Sequence, residues 1–461
     1  MRVVVVGAGI SGLAAAWDVS RRHPEADVVV LEAADRVGGK LRVAQVAGLP
    51  VDVGAEALLT RRPEGVQLIR ELGVDDRLIA PLSTAASIVA GGATHPLPAR
   101  TVLGIPSDVG SLQASGVLSP DAIAAVQNEP AAGPMPPITA DITVGAMVRR
   151  RFGDEVVDRL VQPLLGGVYA GRADELSLEA TVPALYAQLS SGGSLLTAAR
   201  TVADDRNRAD VSGPIFASLR GGLGSLPQAL AATGRFTVRT GVTVRTIRRA
   251  ATGFTLDCGP VPFPEAINAD AVIVATPAAK ASALLRDVAP LAAQDLAGIE
   301  SASLAIVTFA FAGVVLPTGS GLLVGAREPF GVKAVTQLSQ KWPGTPEDLV
   351  LLRASIGRAG DTRDLQLDDA DLAVAALRDL RTLIGLDADP VDTQVTRWGG
   401  GLPQYALGHV ARIERIRASV AGVPGLAVCG AAYDGIGIPA CIASARRAVD
   451  QLLAATLASG Q

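Results

Sequence analysis

The chain has 461 residues, 49% of them apolar and 19% charged. Composition of this kind favours buried cores over intrinsic disorder, and the length predicts about three domain-sized units at roughly 150 residues each. With 41 basic against 45 acidic side chains the net charge is −4, which excludes a general attraction for nucleic acid and leaves any anionic ligand to local cations. Three cysteines (Cys258, Cys429 and Cys441) with no CxxC pair argue against a disulfide framework and a zinc site, so no metal is expected and a reducing, cytoplasmic compartment fits.

Met1 to Val6 runs directly into a glycine-rich turn, without the charged, apolar and cleavage regions of a signal peptide. Arg2–Val6 reads as a strand. Gly7-Ala8-Gly9-Ile10-Ser11-Gly12 then opens an alanine-rich helix through about Arg22, which places GxGxxG between a strand and a helix. In that setting Gly7 permits the tight turn, Gly9 admits a pyrophosphate, and Gly12 lets the helix pack on the strand. A second strand, Asp27–Leu31, ends at Glu32 beside Ala33. An acidic side chain there accepts hydrogen bonds from ribose hydroxyls. The glycine pair of Arg36-Val37-Gly38-Gly39-Lys40, flanked by two cations, offers a further approach to phosphate oxygens.

These first forty residues resemble the opening of the FAD-dependent amine oxidase and protoporphyrinogen oxidase superfamily. The resemblance implies FAD as cofactor, with main-chain flavin contacts at Val53, Gly54, Ala55 and Glu56. It also implies a nucleotide domain to which distant segments return. One return is Gly221-Gly222-Leu223-Gly224-Ser225-Leu226-Pro227 with strands Thr237–Arg239 and Val242–Ile247, where the resemblance puts Val244 on the adenine side. A second is the apolar run Asp270–Pro277. The third is a strand Leu426–Cys429, the turn from Gly430 through Ile436-Gly437-Ile438, and a helix to about Ala458, with Pro439 suited to its first position. There the dipole end can favour negative charge on a flavin. Ala440 replaces the Asp common in relatives, and Ala445 a frequent glycine.

Further segments resemble the bacterial porphyrinogen oxidases over nearly the whole chain: Arg149–Val157, Pro163-Leu164-Leu165-Gly166-Gly167-Val168-Tyr169-Ala170-Gly171, Lys341-Trp342-Pro343, Thr396-Arg397-Trp398 and Pro403-Gln404-Tyr405. The family pattern lays Trp398 against FAD and lines a substrate chamber with Gly167, Tyr169, Ala170 and Gly171. Tyr169 as a core aromatic remains the competing reading. For a porphyrinogen bearing propionates, Arg61 and Arg62 are the leading cations, against a solvated pair at a helix start. His23, His95 and His409 form no nucleophile or metal constellation, and hydride removal by a flavin needs none. The implied reaction is hydride transfer from a meso carbon to flavin N5, reoxidation by O2 to peroxide, and repetition until six electrons have left.

The expected fold is α/β. It has a discontinuous Rossmann-type FAD-binding domain (1–77, 216–284 and 401–461), a mainly helical substrate-access insertion (78–215) and a substrate-binding domain with an antiparallel sheet (285–400). In the last, strands are expected at Leu304–Phe311, Val332–Leu338, Leu349–Ser355 and Gln394–Trp398, with one helix near Asp369–Ile384. The uncharged stretch Ser301–Ala326 reads as buried strands joined by a turn, not as a membrane span, because Gly313, Pro317, Gly319 and Gly321 interrupt it. Ala203–Asp210 reads as a mobile loop. Coproporphyrinogen III and protoporphyrinogen IX both stay open as substrates. Arg- and Ala-rich bacterial coding leans to the first, through the branch of the family with which such coding is associated. A flavin amine oxidase and a non-catalytic binding protein on the same fold are weaker alternatives. Peripheral contact with the inner membrane face and hand-off to the next haem-pathway enzyme are left open.

Overall fold

The computed structural model describes residues 1–208 and 213–459. Arg2–Val6 is the central strand of a five-stranded parallel sheet in the order Thr237–Arg239, Asp27–Leu31, Arg2–Val6, Ala271–Val274, Leu426–Val428. These strands are near-continuous valine and leucine runs because both faces are covered. On one face Val3, Val5, Val28 and Val30 meet helices Ile10–Arg22 and Ile438–Ser459, whose alanines allow close approach. On the other, Val4, Val29 and Val272 meet helices Ala278–Leu285 and His409–Ala421 and a small antiparallel sheet of Val244–Arg249, Phe254–Cys258 and Glu265–Ala269. Residues far apart in the chain thus build one nucleotide-type sheet. The long C-terminal helix starts at Ile438, so Pro439 is its second residue and not its first.

A second sheet has seven strands in the order Asp392–Pro403, Ser301–Ala312, Leu349–Ile356, Val332–Gln337, Gly321–Val324, Ala86–Ala90, Ala93–Pro96. Its pairs are antiparallel except Gly321–Val324 with Ala86–Ala90, which is parallel. One sequence expectation holds and one changes here. The apolar stretch from Ser301 yields two strands, as read, and these are not partners, since Leu349–Ile356 and Val332–Gln337 lie between them. The hairpin Ala86–Pro96, inside the stretch read as mainly helical, completes the edge of this sheet. Helix Asp369–Ile384 covers one face through Leu372, Ala376 and Leu380. Its start is fixed by Asp368, whose carboxylate accepts the Asp371 N–H, and its end by Gly385 at φ +66°.

Helices Val109–Ser115, Pro120–Asn128, Val144–Phe152, Gln162–Tyr169, Pro183–Leu189 and Leu195–Arg208 form a third layer around Leu112, Met147, Leu160, Leu165 and Leu185. The helical run from Asp141 to Val161 is broken at Gly153, φ +86°. Leu195–Arg208 is one helix, so Ala203 to Arg208 is not the loop expected there; Ala209 and Asp210 lie outside the described residues. Among the described residues no helix is long and apolar enough to cross a membrane.

Candidate functional site

The turn after the first strand is built for a ligand at one glycine and for packing at the others. Gly7 sits at φ +105°, and a Cβ on Gly12 would fall 1.9 Å from Gly7 O. A Cβ on Gly9 would meet nothing within 4 Å, although its φ of −72° would accept a side chain. The helix that begins at Ile10 has no side-chain N-cap, so its first N–H groups remain available beside that open space. Ser11 is buried. Gly38 N–H donates to Ala8 O at 2.8 Å, and a Cβ on Gly39 would come 3.3 Å from Gly9 Cα, so the second glycine pair lies against the first.

Glu32 accepts from Ala8 N–H (2.7 Å) and Ala34 N–H (2.9 Å), one bond to each oxygen, which fixes the carboxylate and leaves further lone pairs for a ribose. Ala33, between these residues, is exposed. Val242 N–H donates to Glu32 O at 2.8 Å, bringing the start of the Val244 strand to this end of the site. Arg36 is half-buried, its guanidinium pKa lowered by burial and by Arg42. Burial likewise lowers the Lys40 ammonium.

Towards the other end, Ala55 N–H donates to Lys40 O at 3.2 Å, and a Cβ on Gly54 would lie 1.9 Å from Lys40 O and 3.2 Å from Trp398 Cζ2. Trp398 Nε1–H donates to Val53 O at 2.9 Å, so the indole lies over the Val53–Gly54 backbone. Beneath this segment Arg353 donates to Asp52 O (3.1 Å) and Gly54 O (2.9 Å). Glu56 pairs with Lys341 Nζ at 2.6 Å and faces Arg353 Nη1 at 3.2 Å without hydrogen-bond geometry to that second oxygen. Burial raises the Glu56 carboxyl pKa, and Arg353 and Lys341 more than offset it, so it ends below its ordinary value. Glu56 was singled out in sequence only as a main-chain flavin contact. Its charge partners carry no local signal, because Lys341 and Arg353 lie hundreds of residues downstream.

Gly430, φ +139°, follows the last parallel strand, and its N–H donates to Ser444 Oγ at 3.2 Å. Tyr405 holds the loop that comes next: its hydroxyl donates to Ala431 O at 2.6 Å and accepts from Gly435 N–H at 2.8 Å. Ile436 packs on the helical layer, Gly437 is exposed and Ile438 is buried. A Cβ on Gly435 would come 2.9 Å from Ala440 Cβ, leaving little room even beside alanine at that departure from the family pattern.

Gln404, next to Tyr405, holds the other loop of interest. Its Nε2 donates to Tyr169 O at 2.8 Å, and its Oε1 would lie 2.5 Å from a Cβ on Gly171. Ala170 is buried at φ +51°, ending helix Gln162–Tyr169, while Gly167 is exposed. Tyr169 is 7% exposed and its ring packs 5.7 Å from that of Tyr405, so most of it is core-like; burial raises its hydroxyl pKa to about 12. His409 stacks on Tyr405 at 3.9 Å, and burial lowers its imidazole pKa to about 4, which makes it a neutral aromatic support. Arg61 and Arg62 lie just before helix Pro63–Glu71, with Arg62 exposed and 2.9 Å from Glu64.

A family model described as flavin containing amine oxidoreductase matches residues 10–453. This chain belongs to that family. It is an FAD-dependent oxidoreductase. A coproporphyrinogen III oxidase of Mycobacterium tuberculosis (strain ATCC 25618 / H37Rv) is 39% identical over 456 residues, covering 98% of this chain and 97% of that one. The protein of the same name from Bacillus subtilis (strain 168) is 31% identical over 464 residues, again covering 98% and 97%. A crystal structure from Exiguobacterium sp. 255-15, provisionally named protoporphyrinogen oxidase, superposes with a TM-score of 0.86 at 32% identity, covering 98% of each chain.

The flavoprotein's residues fit FAD on three independent counts: open space at Gly9 where neighbouring glycines are closed, an uncapped helix start, and a fixed carboxylate at Glu32. Among the described residues no group of His, Cys, Asp and Glu is arranged to hold a metal ion, and the three thiols are buried and free.

Proposed function

We propose that this flavoprotein oxidises coproporphyrinogen III to coproporphyrin III in haem biosynthesis, removing six electrons with O2 as acceptor and releasing peroxide. The observation that carries the reading is the joining of the Tyr169–Gly171 loop to the Ala431–Gly435 loop through the adjacent side chains Gln404 and Tyr405. Those are the segments through which the chain resembles porphyrinogen oxidases, and full-length relatives bearing the coproporphyrinogen III oxidase name support it. When bound, FAD accepts hydride from a substrate C–H bond and returns electrons to O2. The chain's own residues position and enclose. Gln404 and Tyr405 fix both loops, Trp398 backs the Val53–Gly54 segment, and neutral His409 supplies an aromatic face in place of a base. Arg61 and Arg62 hold propionates at the chamber mouth, while Gly167, Tyr169, Ala170 and Gly171 line the wall opposite.

In this reading residues 1–77, 216–284 and 401–461 form the FAD domain, 285–400 the substrate domain, and 78–215 the access domain apart from the hairpin Ala86–Pro96, which joins the sheet of the substrate domain. The enzyme works in the cytoplasm in this reading, with peripheral contact at the inner membrane face and hand-off of product to the next enzyme both left open. Protoporphyrinogen IX is the second substrate reading, favoured by a protoporphyrinogen oxidase of Bos taurus at 31% identity over 488 residues. Amine oxidation has less support, since putrescine oxidase shares the fold at a TM-score of 0.69 but only 16% identity.

The test is an aerobic assay of both freshly reduced porphyrinogens, following porphyrin fluorescence and peroxide. Preferential oxidation of the coproporphyrinogen, with about three peroxides per porphyrin, is expected. Preference for protoporphyrinogen promotes the second reading, and no turnover of either by FAD-loaded protein overturns both.

A further inference from the structure

Two cations, Lys333 within the seven-stranded sheet and Arg358 two residues beyond strand Leu349–Ile356, have hydrogen-bonding capacity that the chain does not use. Lys333 is 4% exposed and its Nζ has no partner, and the Nη2 of Arg358, half-buried, has none either. No carboxylate forms an ion pair with Lys333 among the described residues. Burial lowers its ammonium pKa to about 7, and the positive charge of Arg358 adds to that. A buried ammonium without a partner opposes folding, and its natural complement is an anion that the chain itself lacks.

The strand register shows which way Lys333 faces. Val332 stands opposite Ile356 and Ala334 opposite Ser355, so Lys333 is the extra residue of a β-bulge and shares the face of Ala334 and Ser355. Val332 and Ile356 lie under helix Asp369–Ile384, on the other face. Ala334 pairs with Leu323, which packs on the helical layer that contains Leu165 and Tyr169. A Cβ on Gly167 would be 3.2 Å from Leu323 Cδ2. The backbone next to Arg358 reaches the same loop by another route, since Ala359 N–H donates to Ala170 O at 2.6 Å. From the Trp398 strand to the Lys333 strand there are three strand spacings, about 14 Å at roughly 4.8 Å each. That is the scale of a tetrapyrrole with an extended carboxyethyl arm.

We infer that Lys333 and Arg358 form a carboxylate subsite in the sheet wall of the substrate chamber, which takes a propionate of the tetrapyrrole in addition to those held by Arg61 and Arg62. The inference rests on the porphyrinogen reading above. The substrate's carboxylate supplies the partner that Lys333 lacks, and the flexible lysine stem lets the ammonium meet it as it enters. Free of substrate, Arg358 has the carboxylates of Asp361 and Asp364 near it, whereas the buried Lys333 ammonium has no carboxylate partner, an arrangement that costs stability and that an entering anion relieves.

The test measures binding, not turnover. Full-length FAD-loaded wild type, Lys333→Met, Lys333→Arg and Arg358→Gln are titrated by fluorescence with coproporphyrin III and, in the same detergent, with its tetramethyl ester. Lys333→Met is expected to weaken binding of the tetra-acid about tenfold or more while binding of the ester stays unchanged. Lys333→Arg should retain the tetra-acid, and Arg358→Gln should shift in the direction of Lys333→Met. The thermal transition of Lys333→Met should be no lower than that of wild type, because an unpaired buried charge has been removed. Unchanged tetra-acid binding in Lys333→Met, or equal losses for acid and ester, would overturn the subsite and leave the porphyrinogen reading intact. Wild type that binds neither ligand would overturn that reading, and the subsite with it.

Discussion

Glu56→Gln tests whether the buried charges beneath the Gly54 segment hold the site together. The Glu56 side chain is 9% exposed, Lys341 19% and Arg353 14%. Removing one partner of a buried pair costs about 3–5 kcal/mol, because it strands a desolvated charge. Arg353 keeps its two carbonyl acceptors on Asp52 and Gly54, so the stranded charge is chiefly Lys341, and the expected loss lies near the lower end, about 3 kcal/mol. Denaturant unfolding of the FAD-free protein is the assay, since bound cofactor would add stability of its own. Lys341→Met and the double variant complete a cycle in which the double is less destabilised than the sum of the singles, because neither charge is then left alone. The pH dependence has a definite sign. With its folded pKa below the ordinary carboxyl value, Glu56 contributes fully above that ordinary value, and the contribution is lost as pH falls through the lower, folded one. Glu56→Gln should lack this acid-side loss. Stability within about 0.5 kcal/mol of wild type, or strict additivity in the cycle, would refute the reasoning.

Gly9→Ala should leave the melting of FAD-free protein unchanged and weaken FAD binding, whereas Gly12→Ala should destabilise the protein itself, because its Cβ falls on Gly7 O; calorimetry with and without FAD separates the two. Asp52, which accepts Leu223 N–H (2.7 Å) and Gly224 N–H (2.9 Å), has its carboxyl raised by burial to about 6. Its contribution is therefore full below the unfolded value near 4 and lost as pH rises through about 6, and Asp52→Asn should flatten that part of the stability profile in denaturant melts. Arg62→Ala should raise KM for the porphyrinogen with flavin content unchanged; loss of flavin instead would contradict the place at the chamber mouth proposed for it.

The nucleotide half of the molecule was legible because its determinants are local. Arg2–Val6, Ile10–Arg22 and Asp27–Leu31 occur as the valine runs, the glycine turn and the alanine-rich segment require, and each glycine's role follows from a few neighbouring residues. Helix Asp369–Ile384 was readable for the same reason, with its N-cap and terminal glycine inside its own sequence. Sheet partners were not. Nothing within Gly313–Val324 shows that its strand will bind Ala86–Ala90 in parallel, because that pairing is set by which edges remain after Leu349–Ile356 and Val332–Gln337 have inserted.

The same distinction separates the two ends of the site. Cofactor-side residues follow one strand–turn–helix pattern, whereas chamber-side residues are brought together by sheet register and by contacts between distant segments. Gln404 and Tyr405 show this most clearly: in sequence they form a short resemblance, and in the fold they are the connection between two loops separated by more than two hundred residues. Lys333 shows it again: alternation counted from Val332 turns it away from the covering helix, alternation counted back from Val335 turns it beneath, and the extra residue in the register decides for the first. The face on which that charge lies is thus governed by a bulge that hydrophobic periodicity does not reveal. For this reason the cofactor follows from the first forty residues, whereas substrate discrimination has to be sought in the sheet wall.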